Sequence, residues 1–203
     1  MEEILKYLQA LDEIMNKNKD YLIELDSVVG DGDLGLTMSD GYAAAYQAVK
    51  DTKEEDIGKL IYLAGKKMAN AVPSTMGTLM ASGLMQAAKA LRGVNKMTKE
   101  TWLQFFCAYE EGVMNRGKAK INEKTFLDGL HPAIEIMKDN LDLPIADISK
   151  LALQAAEAGF HNTTTMKAIH GRAAIRAEAS ISLKDPGAYV AKLLMEAFFL
   201  IMS

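Results

Sequence analysis

Asp26, Asp31 and Asp33 fall within one short run, Leu25-Asp26-Ser27-Val28-Val29-Gly30-Asp31-Gly32-Asp33-Leu34-Gly35, with glycines between and beside them. Carboxylates this close repel one another and raise one another's pKa unless a cation lies among them. A set of hard oxygen ligands suits Mg²⁺ or Ca²⁺, whereas Zn²⁺ asks for the His and Cys that the run lacks. The glycines let the backbone fold tightly around a small ion. The run reads as a divalent-metal site, and what the metal holds decides the function.

Rival readings of the same run are weaker. Gly30-Asp31-Gly32-Asp33-Leu34-Gly35 fits the spacing G-x-G-x-x-G. A dinucleotide loop, however, brings bare backbone N–H groups to a pyrophosphate, which two aspartates would repel, and the usual strand–helix alternation around it is missing. An EF-hand needs a bidentate Glu at its twelfth position, which is Tyr42 counted from Asp31 and Thr37 counted from Asp26. Turn propensity explains an Asp or a Gly, but less readily three acids packed with three glycines.

Elsewhere, Pro73-Ser74-Thr75-Met76-Gly77-Thr78 interrupts two helical stretches. It offers either N–H groups and hydroxyls to a phosphate or merely an N-cap, and local sequence leaves both open. Gly112 to Ala119 approaches a P-loop but places Ala119 where a metal-binding Ser or Thr belongs. Gly117 reads there as a helix C-cap. Asp128, behind Lys124-Thr125, reads as a capping acid or a site residue. His131, His161 and His170 share no spacing, so no Ser/His/Asp or Cys/His set emerges and no catalytic residue is assigned.

The elements that must position these groups are helical. Ile4, Tyr7, Leu8, Leu11, Ile14 and Met15 repeat at the spacing of one buried helix face. Thr52-Lys53-Glu54-Glu55 reads as a capping box opening a helix whose face is Ile57, Leu60, Ile61, Ala64 and Met68. Further helices are predicted at about 38–50, 77–92, 99–115, 126–140 and 147–160. A last one over about 187–202 is entered through Asp185 as N-cap and Pro186 as first helical residue. The result is an all-α antiparallel assembly of seven or eight amphipathic helices forming a single domain over 1–203.

With 203 residues, 49% hydrophobic and 25% charged, the chain has the composition of an ordinary globule. The apolar runs are too short to span a bilayer. A net charge of −4 without a basic block argues against nucleic acid. The acidic start Met1-Glu2-Glu3 is unlike a signal peptide, Cys107 among Phe105, Phe106 and Ala108 reads as a buried thiol, and the expected location is the cytoplasm. The methionines read as adaptable core filler.

Together these motifs resemble the dihydroxyacetone kinase L subunit, the nucleotide-binding half of a two-part sugar kinase. The resemblance runs nearly end to end: the aspartate–glycine run, Arg116-Gly117-Lys118-Ala119 with Lys124-Thr125 and Asp128, Thr165-Met166, Gly171-Arg172-Ala173, and Asp185-Pro186-Gly187-Ala188. It implies a barrel of eight helices with ADP or ATP at one rim. There, two Mg²⁺ ions join the phosphates to Asp26, Asp31 and Asp33. It further implies phosphate contacts from Leu34, Gly35, Leu36, Thr37, Ser74, Thr75 and Met76, and adenosine contacts from Gly117, Phe126, Arg172, Asp185, Pro186 and Gly187. The chain departs from the family at Leu34, where His is usual, and at Pro73-Ser74-Thr75-Met76, where Gly-Gly-Ala-Ser is usual.

The resemblance implies a kinase subunit that is active only with a keto-sugar-binding K subunit, whose own His holds the substrate covalently. The resemblance further implies that bound ADP is rephosphorylated by a phosphotransferase-system protein. The alternatives are direct use of ATP on another small keto-sugar, or a nucleotide-holding regulatory module without turnover. Association into a homodimer stays open. The stretch 173–184, rich in alanine, serine and charge, is expected to form a cover ordered by nucleotide.

Overall fold

A computed structural model describes residues 1–203; it is all-helical and contains no strand. The helices are α1 (Glu2–Lys17), α2 (Lys19–Val29), α3 (Leu34–Gln47), α4 (Ile57–Ala71), α5 (Thr75–Ala90), α6 (Lys99–Gly117), α7 (Phe126–Asp139), α8 (Ile145–Asn162) and α9 (Pro186–Met202). Two 3-10 segments, Thr163–Thr165 and Arg172–Ser180, lie between α8 and α9. The chain divides into two compact units, Met1–Asn16 with Thr37–Lys118, and Lys17–Leu36 with Ala119–Ser203.

In the first unit α1 buries Ile4, Tyr7, Leu8, Leu11, Ile14 and Met15, the face predicted from spacing. Helix α6 brings Trp102, Phe105, Phe106 and Tyr109 to the same core. Tyr7 stands edge-on to Trp102 with ring centroids 5.1 Å apart and to Phe105 at 5.8 Å. Each such pair adds about 0.5–1.5 kcal/mol beyond area burial. The buried hydroxyls of Tyr42 and Tyr109 lie 3.0 Å apart, and Tyr109 also donates to Met80 Sδ at 3.3 Å. These bonds satisfy phenols whose burial pushes both well above the usual tyrosine range. Helix α5 packs on both α4 and α6, and Met15, Met38, Met68 and Met80 are buried as filler.

In the second unit α7 packs on α8 and α9, and α8 on α9. Helix α9 is buried along Ala188, Val190, Ala191, Leu193, Leu194, Met195, Ala197 and Phe198. Helix α2 buries Leu22 and Val29 and is tied to α9 by Tyr189, whose hydroxyl donates to Asn18 Oδ1 at 2.9 Å.

Several local expectations are corrected. Residues 19–29 form a helix, so Asp26 rides on its last turn instead of in a loop. Tyr21, Leu22, Leu25, Val28 and Val29 carry helical spacing that the acid-rich run obscured. Helix α3 starts at Leu34, directly after the aspartates. The box at Thr52 does not open α4. Asp56 does, with extended backbone and its carboxylate accepting from Lys59 N at 3.1 Å and Gly93 N at 3.1 Å. Gly117 is still helical, and Lys118, at φ 59°, takes the left-handed cap position instead. Cys107 is half-buried, not buried.

Candidate functional site

In the second unit one carboxylate oxygen from each of Asp26, Asp31 and Asp33 can be chosen so that all lie within 4.8 Å of one another. Helix α2 delivers Asp26; the turn before α3 delivers the other two. Gly32 adopts φ +75°, and a Cβ there would stand 2.6 Å from Ser27 Oγ, so both backbone conformation and space demand glycine. Gly35 serves close approach, since a Cβ would run into the Lys19 carbonyl and come 2.7 Å from Ile23 Cγ1. That contact seats the start of α3 on α2.

Asp26 Oδ2 accepts from Leu34 N at 3.3 Å. Even so, burial pushes the Asp26 carboxyl above its ordinary value, and the charges of Asp31 and Asp33 push it the same way. A hard divalent cation relieves that repulsion and offsets more of the three negative charges than a single guanidinium can, so these residues fit Mg²⁺. Arg172 Nη2 lies 2.5 Å from Asp31 Oδ2, with the two side chains 65% and 40% exposed. So exposed a pair contributes at most about 1 kcal/mol. What it fixes is the place of Arg172. Arg172 does not pair with Glu178, which Lys167 takes at 2.5 Å.

A second cluster in this unit gathers Phe126, Asp185, Pro186 and Gly187. Phe126 is buried at the start of α7, and Gly187, in the first turn of α9, approaches its backbone. Asp185 is the N-cap of α9: its Oδ2 accepts from Ala188 N at 2.8 Å, and its own N–H donates to Thr163 Oγ1 at 3.1 Å. Pro186 occupies the first helical position as predicted. Asp128 proves to be a capping acid, accepting from Thr125 N at 2.7 Å and from Asn122 N at 2.5 Å. Sequence reasoning quoted Lys124 within a motif but gave it no role, and it did not pair His170 with Glu123, 2.5 Å away; nothing local marks the partners of either.

The remaining assigned residues are placed as follows. Leu34 and Gly35 are buried in the first turn of α3, Leu36 is exposed, and Thr37 is buried and begins the chain's return to the first unit. In the first unit Ser74 is the N-cap of α5, its Oγ accepting from Gly77 N at 3.0 Å, which realises the capping reading. Thr75 is exposed and Met76 half-buried on the first turn of α5; Gly117 ends α6.

Burial drives the Asp185 carboxyl up to about 7; the Ala188 N–H opposes this, the Asp128 charge adds to it, and Lys124 opposes it. Between about pH 4, where this group ionises in the unfolded chain, and pH 7 the folded state holds a proton that the unfolded state has lost. Stability therefore falls as pH rises through that window. From this group alone the loss between pH 5 and pH 8 is about 2–3 kcal/mol. Asp185→Asn keeps an acceptor for Ala188 N and removes the titration. Urea unfolding from pH 5 to 8 should show a flatter profile for the variant; parallel profiles would contradict the assignment.

Residues 28–199 match the DAK2 domain. The PEP-dependent dihydroxyacetone kinase, ADP-binding subunit DhaL, of Escherichia coli (strain K12) is 31% identical over 198 residues, covering 96% of this chain and 93% of that protein. The L-erythrulose 1-kinase of Mycolicibacterium smegmatis is 28% identical, and the match covers 96% of this chain but 34% of that protein. The crystal structure of the dihydroxyacetone kinase from C. freundii in complex with AMP-PNP and Mg²⁺ aligns with TM-score 0.74 at 19% identity, over 97% of this chain and 33% of that one. This last likeness shows the fold, and the chain spans about a third of those two larger kinases. By the extent of the domain match and the end-to-end identity with the E. coli subunit, the chain belongs to the DAK2 domain family.

Proposed function

We propose that this chain is the nucleotide- and Mg²⁺-binding subunit of a dihydroxyacetone-type kinase, supplying phosphoryl to a small keto-sugar held on a separate subunit. The observation that carries the reading is the trio Asp26, Asp31 and Asp33, acids brought within 4.8 Å that fit a hard cation. The names of the full-length relatives, ADP-binding subunits of PEP- and PTS-dependent dihydroxyacetone kinases, support ADP and a phosphotransferase-system donor.

Phosphoryl transfer needs mostly positioning and charge neutralisation. Mg²⁺ held by Asp26, Asp31 and Asp33 would neutralise phosphate charge. The chain's own residues do the rest. Asp26 fixes the start of α3 by accepting from Leu34 N, which leaves the N–H groups of Gly35 and Leu36 at the positive end of the helix for phosphate, with Leu34 and Thr37 assigned beside them. The resemblance also assigns Ser74, Thr75 and Met76, at the start of α5, to phosphate. Arg172 contributes a permanently charged planar fork. Phe126, Asp185, Pro186 and Gly187 are assigned to adenosine, and the resemblance adds Gly117. No residue of this chain acts as general base. No helix is long and apolar enough to cross a membrane, and the proposed place of action is the cytoplasm.

The test is to pass the purified chain through desalting, denature it and assay released nucleotide, then reconstitute it with a keto-sugar-binding subunit. Stoichiometric ADP, with turnover driven by the phosphotransferase-system donor, is expected. Turnover of added ATP by an empty chain would replace that donor. Nucleotide retention without any turnover would favour the regulatory module.

A further inference from the structure

Lys124 is a buried cation that the mechanism above does not use. The residue is 2% exposed, and its Nζ lies 2.8 Å from Thr163 O, 3.2 Å from Met166 O, 2.6 Å from Ser180 O and 2.6 Å from Leu183 O. An ammonium has three protons to donate, so four carbonyl oxygens surround it completely. Two of them precede and two follow the stretch 167–179, so a single side chain closes both ends of that stretch. Arg172 lies in its middle and reaches Asp31. His170, paired with Glu123 beside Lys124, ties the same stretch a second time. Lys124 itself sits at φ 59°, a left-handed conformation costly for a lysine, and Asn122 does so at φ 70°. Asp128 holds this turn through Asn122 N and Thr125 N.

Stability alone is a poor reason for this arrangement, because taking an ammonium out of water costs several kcal/mol. The stretch that it closes buries little apolar surface of its own: Ile175 is 86% exposed and Ser180 is the one buried residue in Arg172–Ser180. Besides Lys124 its ends are joined by single bonds, Ala168 N to Ser180 Oγ at 2.9 Å and Ser182 N to Thr164 O at 2.9 Å, and by the exposed pair Lys167–Glu178. We propose that Lys124 is a positioning residue whose ammonium ties together the two ends of the segment 163–183 and thereby holds Arg172 at the carboxylate cluster for Mg-ADP. The nucleotide part of this inference rests on the proposed function; the tether does not.

The test uses the full chain. Lys124→Met keeps the apolar stem and loses the donors. Trypsin is expected to cut at Lys167, Arg172 or Arg176 roughly tenfold faster in this variant, and calorimetric titration to give Mg-ADP affinity roughly tenfold weaker. Adding Lys124→Met to Arg172→Ala should weaken Mg-ADP no further than Arg172→Ala alone, since one residue acts through the other. Lys124→Ala leaves a ring of carbonyls of ammonium size. Ammonium or potassium ions, but not tetramethylammonium at equal ionic strength, should restore trypsin protection and affinity.

Unchanged cleavage in Lys124→Met overturns the tether. Faster cleavage with unchanged Mg-ADP affinity, or losses that add to those of Arg172→Ala, overturns the positioning role. A wild-type chain that binds no Mg-ADP overturns the proposed function instead, and trypsin then decides the tether by itself. Should Lys124→Met fail to fold, rescue of Lys124→Ala by ammonium or potassium supports the tether, and failure of both ions overturns it.

Discussion

Asp31→Asn is expected to lower turnover of the reconstituted kinase by about a thousandfold or more while the helical fold persists. Asp31 is one of three carboxylates whose oxygens lie within 4.8 Å, and two oxygen anions no longer match a divalent cation beside a polyphosphate. The stability readout runs the other way. Asp31's charge is among the influences that raise the Asp26 carboxyl, so its removal relaxes Asp26. The lost partner, Arg172, is exposed and contributes at most about 1 kcal/mol. Without magnesium, Tm should hold or rise. With magnesium, the wild-type chain should gain Tm by ligand linkage and the variant should not. Arg172→Ala, which breaks the same ion pair but keeps the acids, should retain that magnesium response. Turnover equal to wild type in Asp31→Asn would sink the metal assignment.

Asp128→Ala has the largest expected effect on stability, about 2 kcal/mol of destabilisation. The carboxylate is 3% exposed and accepts from two backbone donors, Asn122 N and Thr125 N. Truncation strands both, removes the capping box of α7, and frees two residues held at positive φ. Relief of Asp185, whose carboxyl the Asp128 charge helps to raise, offsets part of the loss. Urea unfolding measures the sum. Because the same turn aims Lys124 at its four carbonyls, trypsin should also cut the 163–183 segment faster. An Asp128→Ala chain as stable as wild type would show that the turn holds without the carboxylate.

The legible parts of this protein are those written into near neighbours. Asp26, Asp31 and Asp33 declared a cation site because like charges within a few residues are an electrostatic problem wherever the chain goes. The face Ile4 to Met15 and the cap Asp185 were readable, and Ser74 was one of two readings left open, because periodicity and capping bonds span no more than a few positions. Local signals also misled where two of them overlapped. Helix α2 was hidden beneath the acid–glycine run, and Thr52 looked like a cap until Asp56, with its extended backbone, bonded Lys59 N.

What tertiary structure alone decided is which distant groups meet. Arg172 has Glu178 and Asp185 close by in sequence, yet it lies against Asp31. Lys124 draws its partners from carbonyls 39 to 59 residues further along the chain, and backbone oxygens carry no residue identity that a sequence could advertise. The sequence determined an all-helical member of its family with three acids gathered as a cation would need them, since helix periodicity and clustered charge act over one or two turns. The folded chain determined how the segment 163–183 is held, because an ion pair or a cage of carbonyls depends on where the backbone crosses itself, a property of distance and not of residue order.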